Sequence, residues 1–448
     1  MNSDYILQRD LSADLPIAVK GDGVYIIDAQ GKKYIDACCG AAVSCLGHSD
    51  ESVRTAVKNQ IDTLAYAHTS FMTSQPAEEL AQMLVERAPD NFKKVYFLSG
   101  GSEAVETAIK LIRQYHLEKK QPERKNIIAR FQSYHGNTLT TLGVGGNVKR
   151  KEPFLPYLSD CMHHIDPVYA YRLKEDNETM DEYGIRAANY LEEKILELGA
   201  ETVAAFIAEP LVGSTLGAVG APQTYFKRIR EICDQYGILL MFDEIMCGTG
   251  RTGYLFASEY TQVKPDLITI AKGIGAGYQP LAATLISEKI TSAIESGSGQ
   301  FSHGHTYIGH ATACAAGIAV LKAFDERNLL DNVQKMGKLL KDTLKERFKD
   351  HKNIGDIRGK GLFLGIELVK DKKTKECFDP ELKIFAQIKT TAKELGLLCY
   401  PMGGTDFGKA GDHVLLAPPF IITPEHITEI VDKLEDAINL SLAIKGVL

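Results

Sequence analysis

The chain has 448 residues, a formal net charge of −7, 44% hydrophobic and 24% charged side chains. That length is too great for one small core and predicts two or three substructures of an ordinary soluble protein. The excess of acid, without a basic stripe, argues against a nucleic-acid partner, and no stretch approaches the ~18 apolar residues a membrane helix needs.

Nine cysteines, at 38, 39, 45, 161, 233, 247, 314, 377 and 399, include no C-x-x-C spacing. Neither a metal centre nor a disulfide framework is expected from them. Met1 to Asp14 carries early acids and no apolar segment, so it does not read as a secretory signal, and the expected location is cytoplasmic. Residues 1–55 read as an irregular arm with short strands, in which Val24–Asp28 and Lys33–Asp36 form a hairpin around Gly31. Residues 56–325 alternate apolar runs with amphipathic segments, the pattern of an α/β unit with a mainly parallel sheet flanked by helices. Its clearest strands are Lys94–Leu98, Asn126–Arg130, Val203–Ala208 and Ile238–Phe242, continuous apolar runs suited to burial on both faces. Residues 326–448 read as helix to Lys349, a strand Gly361–Leu368, a helix over 380–395, a short strand near Leu397 and a closing helix from about 424. The N- and C-terminal segments together predict a smaller α/β domain. The glycine-rich stretch Gly403–Asp412 reads as a surface loop, with a mobile lid as the alternative. The basic runs Lys149-Arg150-Lys151 and Lys370–Lys375 read as solvated loops or helix ends.

Ligands of open α/β sheets sit at the carboxyl ends of the strands, so the residues at those ends carry the chemistry. Ser99-Gly100-Gly101-Ser102 enters a helix and offers free N–H groups to a phosphate, or else is a plain N-cap with Ser102 as the cap. Tyr134-His135-Gly136 offers an aromatic that could stack on a planar ring, or a packed loop tyrosine. Glu209 and the pair Asp243-Glu244 end strongly apolar strands, where a carboxylate is costly unless paired. Asp243 is the best placed to hold a protonated ring nitrogen. Lys272 ends the run Leu267–Ala271 and opens the turn Gly273-Ile274-Gly275-Ala276-Gly277, 29 residues after Asp243. Such a lysine either snorkels to solvent or does covalent chemistry, as in a Schiff base. A lysine nucleophile, a carboxylate, a phosphate cup and an aromatic, all at strand ends, are the inventory of a pyridoxal phosphate (PLP) enzyme. A nicotinamide dehydrogenase is excluded, because no G-x-G-x-x-G joins an early strand to a helix.

From about residue 20 to 440 the chain resembles the class III (ω-type) aminotransferases of PLP fold type I. The most specific stretch is Asp243-Glu244-Ile245-Met246-Cys247-Gly248-Thr249-Gly250-Arg251-Thr252-Gly253, followed by Pro265-Asp266-Leu267, Ala271-Lys272-Gly273 and Gly277-Tyr278-Gln279-Pro280. Gly101–Ala104, Tyr134–Gly136, Ala208–Pro210 and His305–His310 match as well. The resemblance implies that Lys272 binds the cofactor covalently and moves the proton, and that Asp243 holds the pyridine nitrogen. Ile245 and Tyr134 would flank the ring, with His135 and Glu209 beside it, and Gly101 and Ser102 would bind the phosphate. Thr306 would reach the phosphate of a neighbouring copy, implying a homodimer or a dimer of dimers. The implied reaction moves an amino group from a primary amine or ω-amino acid to a keto acid such as pyruvate. A racemase, aminomutase or decarboxylase on the same scaffold, or a non-catalytic PLP-binding protein, are the alternatives. Two departures stand out. Tyr400 occupies the position where many pyruvate-using relatives carry arginine, and the Gly403–Asp412 segment is longer than in many relatives. The substrate carboxylate therefore needs another anchor; Lys409 is one candidate, and a solvated loop lysine is its simpler reading.

Overall fold

The computed structural model describes residues 5–11 and 13–447. Its centre is a seven-stranded sheet in the order Phe92–Leu98, Ala282–Ser287, Leu267–Ile270, Leu239–Asp243, Val203–Ala208, Asn126–Arg130, Met162–Ile165. All neighbours pair in parallel except those of Ala282–Ser287, which runs antiparallel to both flanking strands. Its first residues therefore lie at the edge where the other strands end.

Alternation along the strands sorts the core into two faces. Leu239 and Met241 pack with Ile207 and Leu267 against Val105, Ala108, Leu111 and Ile112 of the helix Gly101–Glu118. Leu240 and Phe242 pack on the opposite face with Tyr183, Leu191, Phe226 and Ile229, from the helices Met180–Leu198 and Gln223–Tyr236. Both faces are covered, which is why Leu239–Asp243 is buried at every position. The same parity aims Asp243 toward the helix Gly101–Glu118.

The terminal segments build two smaller sheets. Ala18–Asp22, Tyr25–Asp28 and Lys33–Asp36 form a meander, and Leu397–Leu398 joins it in parallel to Lys33–Asp36. Ile354–Lys360, Phe363–Leu368, Ala410–Leu416 and Tyr400–Asp406 form an antiparallel sheet. The expected hairpin, the four large-sheet strands and the helices Leu329–Arg347, Ile384–Glu394 and Pro424–Ile444 are present, with ends shifted by a few residues.

Several elements differ from the sequence reading. Ala18–Asp22 and Ile354–Lys360 are strands that the sequence did not mark; apart from buried Ile354 they are exposed or half-buried, and they lack an apolar run. Gly403–Asp412 is no open loop but the tip of a strand pair, in which Gly403 lies opposite Asp412 and Asp406 opposite Ala410. Its glycines hid the pairing, since glycine weakens every local strand signal. Among the described residues, no helix is long and apolar enough to cross a membrane.

Candidate active site

The carboxyl ends of the central strands open into a cavity of about 410 Å³. Phe242 pairs with Ala208, so Asp243 and Glu209 end adjacent strands side by side. Asp243 pairs with Thr269, and Lys272 follows three residues later. Gly101, Ser102, Tyr134, His135, Glu209, Asp243, Ile245 and Lys272 all line this cavity. Thr306 does not: it is exposed, and its carbonyl accepts from the Tyr66 hydroxyl at 2.8 Å.

Lys272 sits at φ +53°, in the left-handed region that costs a side-chain-bearing residue of order 1–3 kcal/mol. Its amine has no hydrogen bond or ion pair among the described residues, and burial lowers its pKa, opposed by the charges of Asp243 and Glu209. A buried amine whose charged form is disfavoured is suited to act as base or nucleophile. The Asp243 carboxylate meets His135 Nδ1 at 2.7 Å through Oδ2 and accepts the Ile245 N–H at 3.0 Å through Oδ1. His135 is buried, so its place is beside Asp243, holding that carboxylate in position. Glu209 accepts from the N–H of Gly213 at 3.1 Å and of Tyr134 at 3.4 Å, while burial raises its pKa. Its carboxylate thus ties the 209–213 segment to the Tyr134 loop in the cavity wall.

Glu244, adjacent to Asp243 in sequence, points away from the cavity. It is buried, accepts the Ser258 N–H at 2.8 Å, and also bonds the Ala257 N–H. It is a structural brace, and strand parity separates its fate from that of Asp243.

At the far wall the helix Gly101–Glu118 is capped by Gly100, which has no side chain to satisfy the first-turn N–H groups. Those amides and the positive end of the helix form an anion site. Ser102 is inside the helix and not its cap, and its hydroxyl accepts the Asn137 N–H at 3.0 Å. A Cβ on Gly101 would lie 2.9 Å from Ile245 Cδ1, so a side chain there would push Ile245 from its place in the cavity wall. The sequence reading missed Ser214, Gln279, Pro280 and Leu281 as lining residues. The last three come from the antiparallel strand's entry; Gln279 and Pro280 were signalled only by their place in Gly277-Tyr278-Gln279-Pro280, and Leu281 by nothing local.

The family profile Aminotransferase class-III matches residues 9–438. An uncharacterized aminotransferase of Schizosaccharomyces pombe is 44% identical over 96% of this chain and 93% of its own length. The chloroplastic gamma aminobutyrate transaminase 3 of Solanum lycopersicum is 37% identical over 96% of this chain and 82% of its own. The structure is also similar to the omega transaminase of Pseudomonas jessenii in complex with PMP, with a TM-score of 0.90, 33% identity and coverage of 96% and 94%. The chain belongs to the class III aminotransferases, enzymes of PLP fold type I that use pyridoxal phosphate. The residues present fit that cofactor: a glycine-capped helix end for a phosphate, a braced buried carboxylate for a ring nitrogen, and a buried lysine amine that no side chain among the described residues pairs.

Proposed function

We propose that this enzyme moves an amino group from a primary amine or ω-amino acid to a keto acid such as pyruvate. The observation that carries the proposal is the convergence of Lys272, Asp243 and the open end of the helix Gly101–Glu118 on one cavity. Lys272 would hold the cofactor, Asp243 its ring nitrogen, Gly101 and Ser102 its phosphate, with Ile245 and Tyr134 on the ring faces. When bound, pyridoxal phosphate supplies an electron sink for the pair left at the carbon that bears the amine. Lys272 Nζ takes the proton from that carbon and returns it at the other side of the transferred nitrogen. Its lowered pKa favours the neutral form that this task requires. Asp243 opposes loss of the ring proton because an opposite charge at short range favours the ionised state. Leu211, Cys247 and Ala271 give the cavity a buried apolar wall against which a substrate side chain can pack.

A homodimer, or a dimer of dimers, belongs to the same proposal. Thr306 lies outside its own cavity, consistent with service in a neighbouring copy's site. So does the division of the chain into 1–55, 56–325 and 326–448, which the membership of the three large sheets supports, and a cytoplasmic location. The relatives named as gamma aminobutyrate and omega transaminases support an amine distant from the acid group.

The test is an amine panel with pyruvate, scored by steady-state kcat/KM and by conversion of the cofactor to its amine form with donor alone. Simple amines and amino acids with a distant acid group should be good donors, and ordinary α-amino acids other than alanine poor ones. A strong preference for glutamate or aspartate would overturn the reading.

A further inference from the structure

In the sequence, Phe131-Gln132-Ser133 is only the stretch between the strand end Arg130 and Tyr134. In the structure Gln132 is buried, 5% exposed, with φ at +58°, in the left-handed region where glycine would sit without strain. A long side chain kept in such a place needs a compensating role, and its contacts supply one. Gln132 Nε2 donates to the carbonyls of Gly404 and Thr405, both at 2.9 Å and 272 and 273 residues further along the chain. Both amide hydrogens are thus spent on the tip of the hairpin formed by Tyr400–Asp406 and Ala410–Leu416. The Gln132 backbone is fixed as well. Its N–H donates to the Gly146 carbonyl at 3.0 Å, and its carbonyl accepts from the hydroxyl of Thr215, next to Ser214 of the first cavity's wall. Ser133 closes back on the Arg130 carbonyl at 2.8 Å. Little slack therefore separates the Gln132 amide from Tyr134, two residues on.

The hairpin tip has few other ties to the large sheet's layer. Among the described residues, no other hydrogen bond joins 400–412 to 56–325. Elsewhere the tip faces Phe131, Asn147 and Arg150 across a second cavity of about 460 Å³. Lys409, the sequence candidate for a carboxylate anchor, lines that second cavity and not the first, and Tyr400 lines neither. The remaining contacts of the Tyr134 loop are looser: the Tyr134 N–H reaches Glu209 at 3.4 Å, and exposed Arg150, from the helical turn 148–151, lies over the ring at 5.1 Å from its centroid.

Resting on the transaminase reading above, we infer that Gln132 is a positioning residue that pins the Gly403–Asp412 hairpin tip to the Tyr134 loop, so that the C-terminal hairpin holds the ring-flanking wall of the site. Gln132 lines the second cavity and not the first, so it acts through Tyr134 and not on cofactor or substrate.

The chain contains no tryptophan, so Tyr134→Trp places a single indole in the loop, and its fluorescence reports the loop without cofactor or turnover. Two changes are made in that background. Gln132→Met keeps the length of the side chain and removes both donors. Replacing residues 404–411 by Asn-Gly closes the strand pair between Gly403 and Asp412 in a two-residue turn and removes both acceptors. Each should raise acrylamide quenching of the indole about twofold, and the two together should do no more than either alone, because they remove the same contact. Quenching unchanged by either, or effects that add, would overturn the pin. In the holoenzyme with Tyr134 intact, Gln132→Met should slow the single-turnover conversion by donor alone about tenfold. Gln132→Glu should be slow at neutral pH and recover as pH falls, since only a protonated carboxyl can donate to a carbonyl. A Gln132→Glu rate that follows the wild-type pH profile would also overturn the assignment. If no amine and keto acid pair turns over, the proposed function fails while the quenching cycle still decides the role of Gln132.

Discussion

Replacing His135 with phenylalanine probes the site at one remove from the proposed ring contact. The Asp243 carboxylate is held by two hydrogen bonds, from His135 Nδ1 at 2.7 Å and from the Ile245 N–H at 3.0 Å. Phenylalanine keeps a planar ring and removes one of them. A hydrogen bond to a charged group is worth about 1.5–3 kcal/mol, and that energy placed in the barrier slows the reaction about 10- to 150-fold. Because His135 would act through Asp243 and not on substrate, the loss should fall on kcat, with KM for amine little changed. The assay is the single-turnover conversion of the bound cofactor by donor alone, with cofactor retention measured in parallel. His135→Gln, whose amide donates, should recover part of the rate. A phenylalanine variant that keeps its cofactor and lies within about threefold of wild-type kcat would refute the reasoning.

Lys272→Ala should lower turnover by roughly 10²–10⁴-fold or more while the fold survives, and borohydride labelling of wild type should map to Lys272; a label on another lysine would count against its role. Glu367 is buried between the Tyr169 hydroxyl, Arg172 (2.7 Å) and Arg358 (2.7 Å), so Glu367→Gln should cost about 3–5 kcal/mol in urea unfolding by leaving Arg172 without its buried counter-charge and Arg358 with Asp356 alone. A loss below about 1 kcal/mol would show that the cluster is solvated in the working protein. Burial holds His413 down at about 3 and His164 at about 4. Both are depressed below the ordinary value near 6.5, so their contribution to stability is full above that pH and is lost as pH falls through 4 and 3. The melting temperature should drop over that window, and less steeply in His413→Asn; identical slopes would assign the acid sensitivity to other groups.

The sequence alone marked five strands of the large sheet and the residues at their ends. Leu239–Phe242 and Val203–Ala208 are apolar at every position, and Asn126–Arg130 through its middle, because both faces are covered, and a chain that long in one pattern admits few other folds. It also marked Lys272, Asp243 and Glu209, since a charge at the end of such a run is costly enough to need a reason. Tertiary structure decided what local pattern cannot encode. Strand parity turned Asp243 into the cavity and Glu244 out of it. The antiparallel strand Ala282–Ser287 brought Gln279, Pro280 and Leu281 to the site, because its direction depends on pairing partners far away in sequence. The tip Gly403–Asp412 became a paired hairpin only through contacts its glycines do not advertise. Arg150, one of three basic residues in a row, was separated from its neighbours by what each side chain meets: carbonyls for Lys151, an aromatic ring for Arg150. Such partners are chosen by the packing of distant segments, so the run reads as solvated charge until the Tyr134 loop and the turn at 148–151 are folded together.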